Sequence, residues 1–143
     1  MGIFNAIDIA ASGMTAERLR IDLISNNIAN VNTTRTSEGG PYRRQMAVFQ
    51  SRSGESDFFS YYNRQLNSDG VKVVGISKDD APPKMVYEPG HPDADADGYV
   101  KMPNVNIVTE MVDMITASRA YEANVTSVNV AKSMVLKALD IGS

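Results

Sequence analysis

Apolar residues recur every seven positions near the start of the chain, which is typical of one side of a long helix. The main track is Ile7, Met14, Ile21 and Ile28. A second track, offset by three or four positions and interrupted by Glu17, is Ile3, Ala10, Ile24 and Val31. Because this spacing places side chains on one helical face, the pattern predicts a helix. We expect it to end between Asn30 and Thr34, where an Asn-rich run favours turns.

The last forty positions repeat the pattern more strongly. One heptad position stays apolar through five consecutive repeats, at Ile107, Met114, Tyr121, Val128 and Val135. The partner track contains Met111, Val125 and Leu139, with small residues beside it at Ala117, Ala131 and Ala138. A seven-residue period favours a supercoiled helical partner over packing of each helix on a small sheet, which is the alternative.

The middle of the chain has a different character. All six prolines lie between positions 41 and 103, and seven of the ten glycines lie between 39 and 98. Proline removes a backbone donor and breaks helices, so these residues confine long helices to the two ends. Short strand patterns are found at 42–50, 71–76, 84–87 and 98–102. We therefore predict an α+β fold: helical segments 1–34 and 104–143, paired as a coiled coil, and a β-rich middle segment 35–103.

The polar segment 51–70 carries an unusual group of aromatic residues for a linker: Phe58, Phe59, Tyr61 and Tyr62. Either this group packs on a neighbouring molecule or the segment folds back onto the β-rich region. The pattern favours an interface patch, because exposed apolar clusters mark interaction sites.

Composition excludes several classes of function. The net charge of −3 provides no basic surface for nucleic acid. The absence of cysteine excludes disulfides, thiolate nucleophiles and cysteine metal sites. No apolar run is long enough to insert into a membrane, and no basic region precedes an apolar run as in a secretory signal. Aromatic residues are only 7% of the chain, which favours burial completed by other subunits.

Candidate chemistry is limited to one loop. Asp93, Asp95, Asp97 and Gly98 match the first half of an EF-hand loop, but Asn104 stands where the loop requires glutamate. We interpret the run as a solvated acidic turn. The single histidine, His91, has no second histidine or cysteine with which to form a zinc site or a catalytic pair. We therefore assign no catalytic, cofactor-binding or metal-binding residue and expect no enzyme. A hydrolase or calcium module around this loop remains an alternative.

Three segments resemble a known family. Residues 25–33 (SNNIANVNT) resemble the N-terminal signature of flagellar basal-body rod, hook and hook-associated axial proteins. Residues 104–142, with MVDMITASRAYEANV at their centre, resemble the matching terminal helix. Residues 91–105 (HPDADADGYVKMPNV) are most similar to the short proximal-rod members. The resemblance covers 1–50 and 82–143 and is weak over 51–70, which we expect to be an insertion.

The resemblance implies a mechanical role in the bacterial flagellar basal body. Family members pack their terminal helices as a coiled coil in the inner layer of a helical tube, and the middle segment forms an outer β layer. The chain would be a structural subunit of the proximal rod, a drive shaft that transmits torque from rotor to hook across the periplasm. The implied partners are copies of itself, other rod subunits and the flagellar export apparatus. A cytoplasmic coiled-coil adaptor is the alternative.

Three asparagines lie close together where the first helix should end. Asn26, Asn27 and Asn30 are poor helix formers, so we expect them to bind neighbouring backbone at the turn into the β-rich segment; a plain helix stop is the alternative. With the apolar tracks they form the predicted assembly interface, whose apolar members are Ile7, Met14, Ile21, Ile24, Ile28, Ile107, Met111, Met114, Tyr121, Val125, Val128, Val135 and Leu139.

Overall fold

The computed structural model describes residues 3–52 and 70–141, and it confirms the α+β class. Along the chain, a long helix comes first, four strands follow, and a second long helix comes last. The elements are α1 (Ile3–Ala29), β1 (Gln45–Ser51), β2 (Val71–Lys78), β3 (Lys84–Tyr87), β4 (Tyr99–Met102) and α2 (Ile107–Ile141). The coiled-coil pairing of the helices remains a prediction.

Asparagine side chains mark the two helix ends that face the middle segment. Beyond α1, the backbone N–H and the side-chain amide of Asn30 both donate to the carbonyl of Asn26, at 3.1 and 2.9 Å. At the start of α2, the N–H of Val108 donates to Oδ1 of Asn106 at 3.0 Å. Asn106 is therefore the N-cap of α2.

The strands form two separate two-stranded sheets. β1 pairs with β2, and hydrogen bonds flank the pair from the N–H of Arg52 to Gly70 (2.8 Å) and from the N–H of Asp79 to Arg44 (2.8 Å). These bonds are those of antiparallel neighbours. β3 pairs antiparallel with β4, with Tyr87 opposite Tyr99.

The chain divides into two compact units. Unit 1 contains the described residues 3–19, 48–52, 70–75 and 116–141, and unit 2 contains residues 20–47 and 76–115. The buried apolar residues of unit 1 are all alanines: Ala10, Ala16, Ala117 and Ala131. Those of unit 2 are larger: Leu23, Ile24, Val100 and Val105. Within residues 3–52 and 70–141, no helix combines the length and the apolar character that crossing a membrane requires.

Candidate assembly interface

A buried polar cluster in unit 2 joins the end of α1 to the start of β1. The side chain of Asn27 is 1% exposed. Its Nδ2 donates to the carbonyl of Gln45 at 2.9 Å, and its Oδ1 accepts the N–H of Gln45 at 2.9 Å. The amide therefore binds the backbone of β1 in the way a neighbouring strand would. This bears out the expected backbone contact for Asn27.

Glu110, on the first turn of α2, is fully buried in the same cluster. Its Oε2 accepts a second hydrogen bond from Nδ2 of Asn27 at 2.9 Å, and its Oε1 accepts one from Nε of Arg44 at 2.5 Å. Both carboxylate oxygens thus have donors, which a buried charge requires. Arg44 also contacts Asp113 through Nη2 at 3.1 Å, and Asp113 lies 3.9 Å from Arg20.

The backbone of Arg44 and the hydroxyl of Tyr42 complete the cluster. The N–H of Arg44 donates to Oδ1 of Asn104 at 3.0 Å, and the hydroxyl of Tyr42 donates to Oδ1 of Asn27 at 2.9 Å. Burial, and secondarily the negative charge of Glu110, raise the pKa of Tyr42 above its usual value. We name these residues the Asn27 cluster: Asn27, Tyr42, Arg44, Gln45, Asn104, Glu110 and Asp113.

Unit 1 contains a different kind of contact. Gly13 of α1 lies against Asn124 of α2, and a Cβ added at Gly13 would lie 2.9 Å from Nδ2 of Asn124. Nearby, Oγ of Ser12 accepts the N–H of Val71 at 3.1 Å. Gly70 has a positive φ of 81°, and a Cβ there would overlap Oγ of Ser12. Small residues therefore allow close approach within this unit, of α1 to α2 at Gly13 and of α1 to the start of β2 at Gly70.

Three contacts between the helices, made by glycine or polar residues of α1, lie one residue before the main predicted track. Gly13 contacts Asn124 within unit 1, whereas Arg20 contacts Asp113 and Asn27 contacts Glu110 within unit 2. One residue corresponds to a rotation of roughly 100° around a helix. The predicted track of α1 consequently lies at the margin of the buried face. Its members, all half-buried, are Ile7, Met14, Ile21 and Ile28.

The remaining predicted interface residues differ in exposure. In α1, Ile24 is buried and Asn26 is exposed, and Asn30, just beyond the helix, is half-buried. In α2 the half-buried members are Met114, Tyr121, Val125, Val128 and Val135. The exposed members of α2 are Ile107, Met111 and Leu139. Their contacts with other molecules stay a prediction.

The acidic loop between β3 and β4 has side-chain hydrogen bonds both to the segment that follows α1 and within the loop. The hydroxyl of Thr34 donates to Oδ2 of Asp93 at 2.8 Å, and the N–H of Asp93 donates to Nδ1 of His91 at 3.1 Å. Within residues 3–52 and 70–141, no group of three or more acidic or histidine side chains is arranged to hold a metal ion. The aromatic group at 58–62 lies outside the described residues.

Comparison with known proteins decides the family. A model described as "Flagella basal body rod protein" matches residues 7–35, and one described as "Flagellar basal body rod FlgEFG protein C-terminal" matches residues 96–141. The chain is 53% identical to the flagellar basal-body rod protein FlgC of Borreliella burgdorferi, over 99% of this chain and 98% of that protein. It is 46% identical to FlgC of Bacillus subtilis and 42% identical to FlgC of Salmonella typhimurium, each over 99% of both chains. The chain belongs to the FlgC family of flagellar basal-body rod proteins.

Membership of the FlgC family confirms the resemblance and places the chain in the flagellar basal body as a rod component that assembles with other rod proteins. The two matched ranges contain Asn27 and Glu110, the two buried polar residues of the structure. Arg44, which lies between the matched ranges, was not singled out from the sequence. Nothing local distinguishes it from Arg43, since its role depends on partners sixty or more positions away.

The helices of this FlgC-family chain leave a large apolar surface exposed. Near the start of α2 the exposed fractions are 70% for Val108, 58% for Val112 and 55% for Ile115. Near its end a second exposed group consists of Val130, Met134, Leu136, Leu139 and Ile141. Contiguous exposed apolar surface of this kind marks sites where other molecules bind.

Proposed function

We propose that this chain is a structural subunit of the proximal rod and carries out no enzymatic reaction. The two terminal helices form part of the inner layer of a helical tube, and the tube acts as a drive shaft that transmits torque from the rotor to the hook. Its partners are copies of itself, other rod subunits and the flagellar export apparatus. The relatives that match along the whole chain carry the name of a rod protein, which supports this role.

One observation carries the mechanical part of the proposal: α2 has exposed apolar side chains along its length, although its buried face is already in contact within the chain. A surface helix of a self-sufficient domain has a polar outer face. An outer face that includes Val108, Val112 and Val130 is instead suited to a helix that other helices surround. The neighbouring helices of a rod provide this environment along the apolar faces of a subunit.

Several of the predicted interface residues have intermediate exposure, which suits this arrangement. Val128 and Ile21 are half-buried, so part of each side chain is covered within the chain and part is available to a neighbour. Head-to-tail contacts, which join two different surfaces of neighbouring subunits, generate open helical assemblies when they do not close into a ring, as a rod requires. We propose that these tracks pack against neighbouring rod helices.

The test compares aspartate substitutions on one helix in cells that lack their own copy of the chain. Val128→Asp, at a half-buried predicted contact, and Val112→Asp, at an exposed apolar position, should each abolish incorporation into purified basal bodies and swimming. Both remove apolar burial and place a charge at a contact. Thr126→Asp, at an exposed polar position of α2, is the matched control and should swim normally.

Export is measured in the same cells, because a variant that is exported but not incorporated has lost assembly alone. Normal swimming of the Val112 and Val128 variants would show that these surfaces are not rod contacts. Recovery of the native chain in the cytoplasm, and not in basal bodies, would favour the adaptor function.

A further inference from the structure

Within unit 2, the covalent connection from α1 to β1 runs through a glycine turn on the surface. Gly39 and Gly40 have positive φ values of 86° and 80°. Among the described residues, no heavy atom would come within 4 Å of a Cβ added at either position. The turn is closed by local hydrogen bonds, from the N–H of Thr36 to Gly40 at 2.9 Å and from the N–H of Gly39 to Thr36 at 3.0 Å. These bonds shape the turn itself and do not join β1 to the helix.

The Asn27 cluster bypasses that turn with direct bonds. The Asn27 amide binds both backbone groups of Gln45, the Arg44 guanidinium binds Glu110, and the Arg44 N–H binds Asn104. Two neighbouring residues of the chain that leads into β1 are thus fixed to the end of α1, to the start of α2 and to the segment before α2. The bonds point in several directions, so they oppose rotation as well as separation.

Directional bonds resist a kind of displacement that apolar packing tolerates. The hydrophobic effect is non-directional and depends on the area removed from water. Two apolar surfaces can therefore slide past each other while they remain in contact. Hydrogen bonds weaken steeply with distance and misalignment, and those to ionised groups are the strongest. A shaft under torque needs contacts of the second kind wherever one part of a subunit must turn with another.

We propose that the Asn27 cluster is the torsional joint of the subunit, which makes the β1 end of the middle segment turn rigidly with the helices under torque. This inference rests on the proposed rod function and deepens it. Asn27, Arg44 and Glu110 act as positioning residues. Their shared role is to prevent β1 from slipping against the helices, in addition to the stability that they contribute.

The experiment separates stability from resistance to slippage. Removing one member of a buried ion pair leaves an unpaired charge, whereas replacing both by apolar residues of similar size often restores stability. The double variant Arg44→Met with Glu110→Leu should therefore enter basal bodies at the native copy number, yet lack the charged hydrogen bonds that tie Arg44 and Asn27 to the start of α2. The bonds of Asn27 to Gln45 and of the Arg44 N–H to Asn104 remain in this variant. Arg43→Met, which alters the adjacent, 62% exposed arginine side chain, is the matched control.

Rotation of tethered cells is measured in media of low and high viscosity, together with the copy number in purified basal bodies. For the double variant we expect native rotation at low load and loss of rotation at high load. Arg43→Met should rotate normally at both loads. Native rotation of the double variant at high load would show that the cluster contributes stability alone and would overturn the proposal.

A second variant covers failure of the double variant to enter rods. Glu110→Gln keeps the shape and one acceptor oxygen but removes the charge that strengthens both hydrogen bonds. We expect Glu110→Gln to enter rods and to lose less rotation at high load than the double variant. Unchanged rotation at high load would again contradict the proposal of a torsional joint. Failure of the rod function itself is recognised separately, because the Val112 and Val128 variants would then swim.

Discussion

The interiors of the two units are held together by opposite means, although the same two helices contribute to both. In unit 1 the buried apolar residues are alanines, and Gly13 provides the space that Asn124 occupies. In unit 2 the two buried polar side chains are Asn27, 1% exposed, and Glu110, 0% exposed. One interior depends on the smallness of its residues and the other on the pairing of its polar groups.

The difference indicates which substitutions each unit tolerates. A close helix contact built on small residues is sensitive to added volume, since well-packed interiors have no space for extra atoms. A buried polar cluster is sensitive to the loss of a partner, since an unpaired buried donor, acceptor or charge is costly. Stability and assembly should therefore respond to size in unit 1 and to pairing in unit 2. The predictions below test this contrast.

The largest effect should come from Glu110→Leu alone. The change leaves the Arg44 guanidinium without its buried partner and removes an acceptor from Asn27, so the fold should lose about 3–5 kcal/mol. The measurement is the urea concentration that releases the chain from purified basal bodies. Glu122→Leu, at an exposed glutamate of the same helix, should leave that concentration nearly unchanged. Equal effects of the two substitutions would contradict the pairing requirement.

A smaller loss is expected from Asn27→Ala. Truncation leaves the N–H of Gln45 and the hydroxyl of Tyr42 without their acceptor in a buried site, which costs about 2–3 kcal/mol. Asn30→Ala removes only local bonds, to Asn26 and from Thr33, and should change stability by less than about 0.5 kcal/mol. Urea release again compares the two. If they weaken the rod equally, Asn27 is only a helix stop.

In unit 1, Gly13→Leu should destabilise through volume. The added side chain must displace Asn124, at a cost of about 1–3 kcal/mol for overpacking, offset by about 1 kcal/mol of gained helix propensity. Gly75→Ala adds a Cβ where no described atom lies within 4 Å and should be neutral or slightly stabilising. The double variant Gly13→Ala with Asn124→Ala lacks the side chain that the added Cβ would meet, so its stability should be close to that of the native chain. A silent Gly13→Leu would show that the close contact is unimportant.

The smallest effect concerns alkaline pH. The raised pKa of Tyr42 means that the folded state holds the phenol proton more tightly than the unfolded state, whose pKa is near the ordinary 10.0. This contribution is complete below pH 10 and declines as the pH rises through the folded-state pKa. Spectrophotometric titration of the tyrosines should show one phenol that ionises late, and Tyr42→Phe should remove it. Persistence of the late phenol in the variant would assign it elsewhere.

The helix ends and strands could be predicted because their signals are local. The asparagines after Ile28 end α1 at Ala29, and the alternation in Lys84–Tyr87 coincides with β3. β1 begins at Gln45, three residues later than predicted, and β2 continues to Lys78, two residues further. Prolines and glycines correctly separated the middle segment from the helices, since their backbone restrictions act wherever they occur.

The contacts between the helices could not be predicted in the same way. A heptad analysis counts apolar residues, whereas the contacting track consists of Gly13, Arg20 and Asn27. Each of these depends on a partner distant in sequence, and the Asn27–Glu110 pair spans 83 positions. Glu110 gave a sequence signal only as an acidic residue on the first turn of a helix. Glu110 is buried because Arg44 and Asn27 pack against it and donate hydrogen bonds to it.

The Gly39–Gly40 turn also determines where a reporter can be attached. Phe4 and Ile141, near the two ends of the described helices, are exposed apolar residues, so a fluorescent protein joined to either end would lie beside surface suited to contact other subunits. Ser37, beside the two glycines, is exposed, and the chain has no cysteine. A single Ser37→Cys substitution therefore offers one thiol for a small dye on the surface of unit 2, at which the orientation of individual subunits could be followed by polarised light while the motor turns.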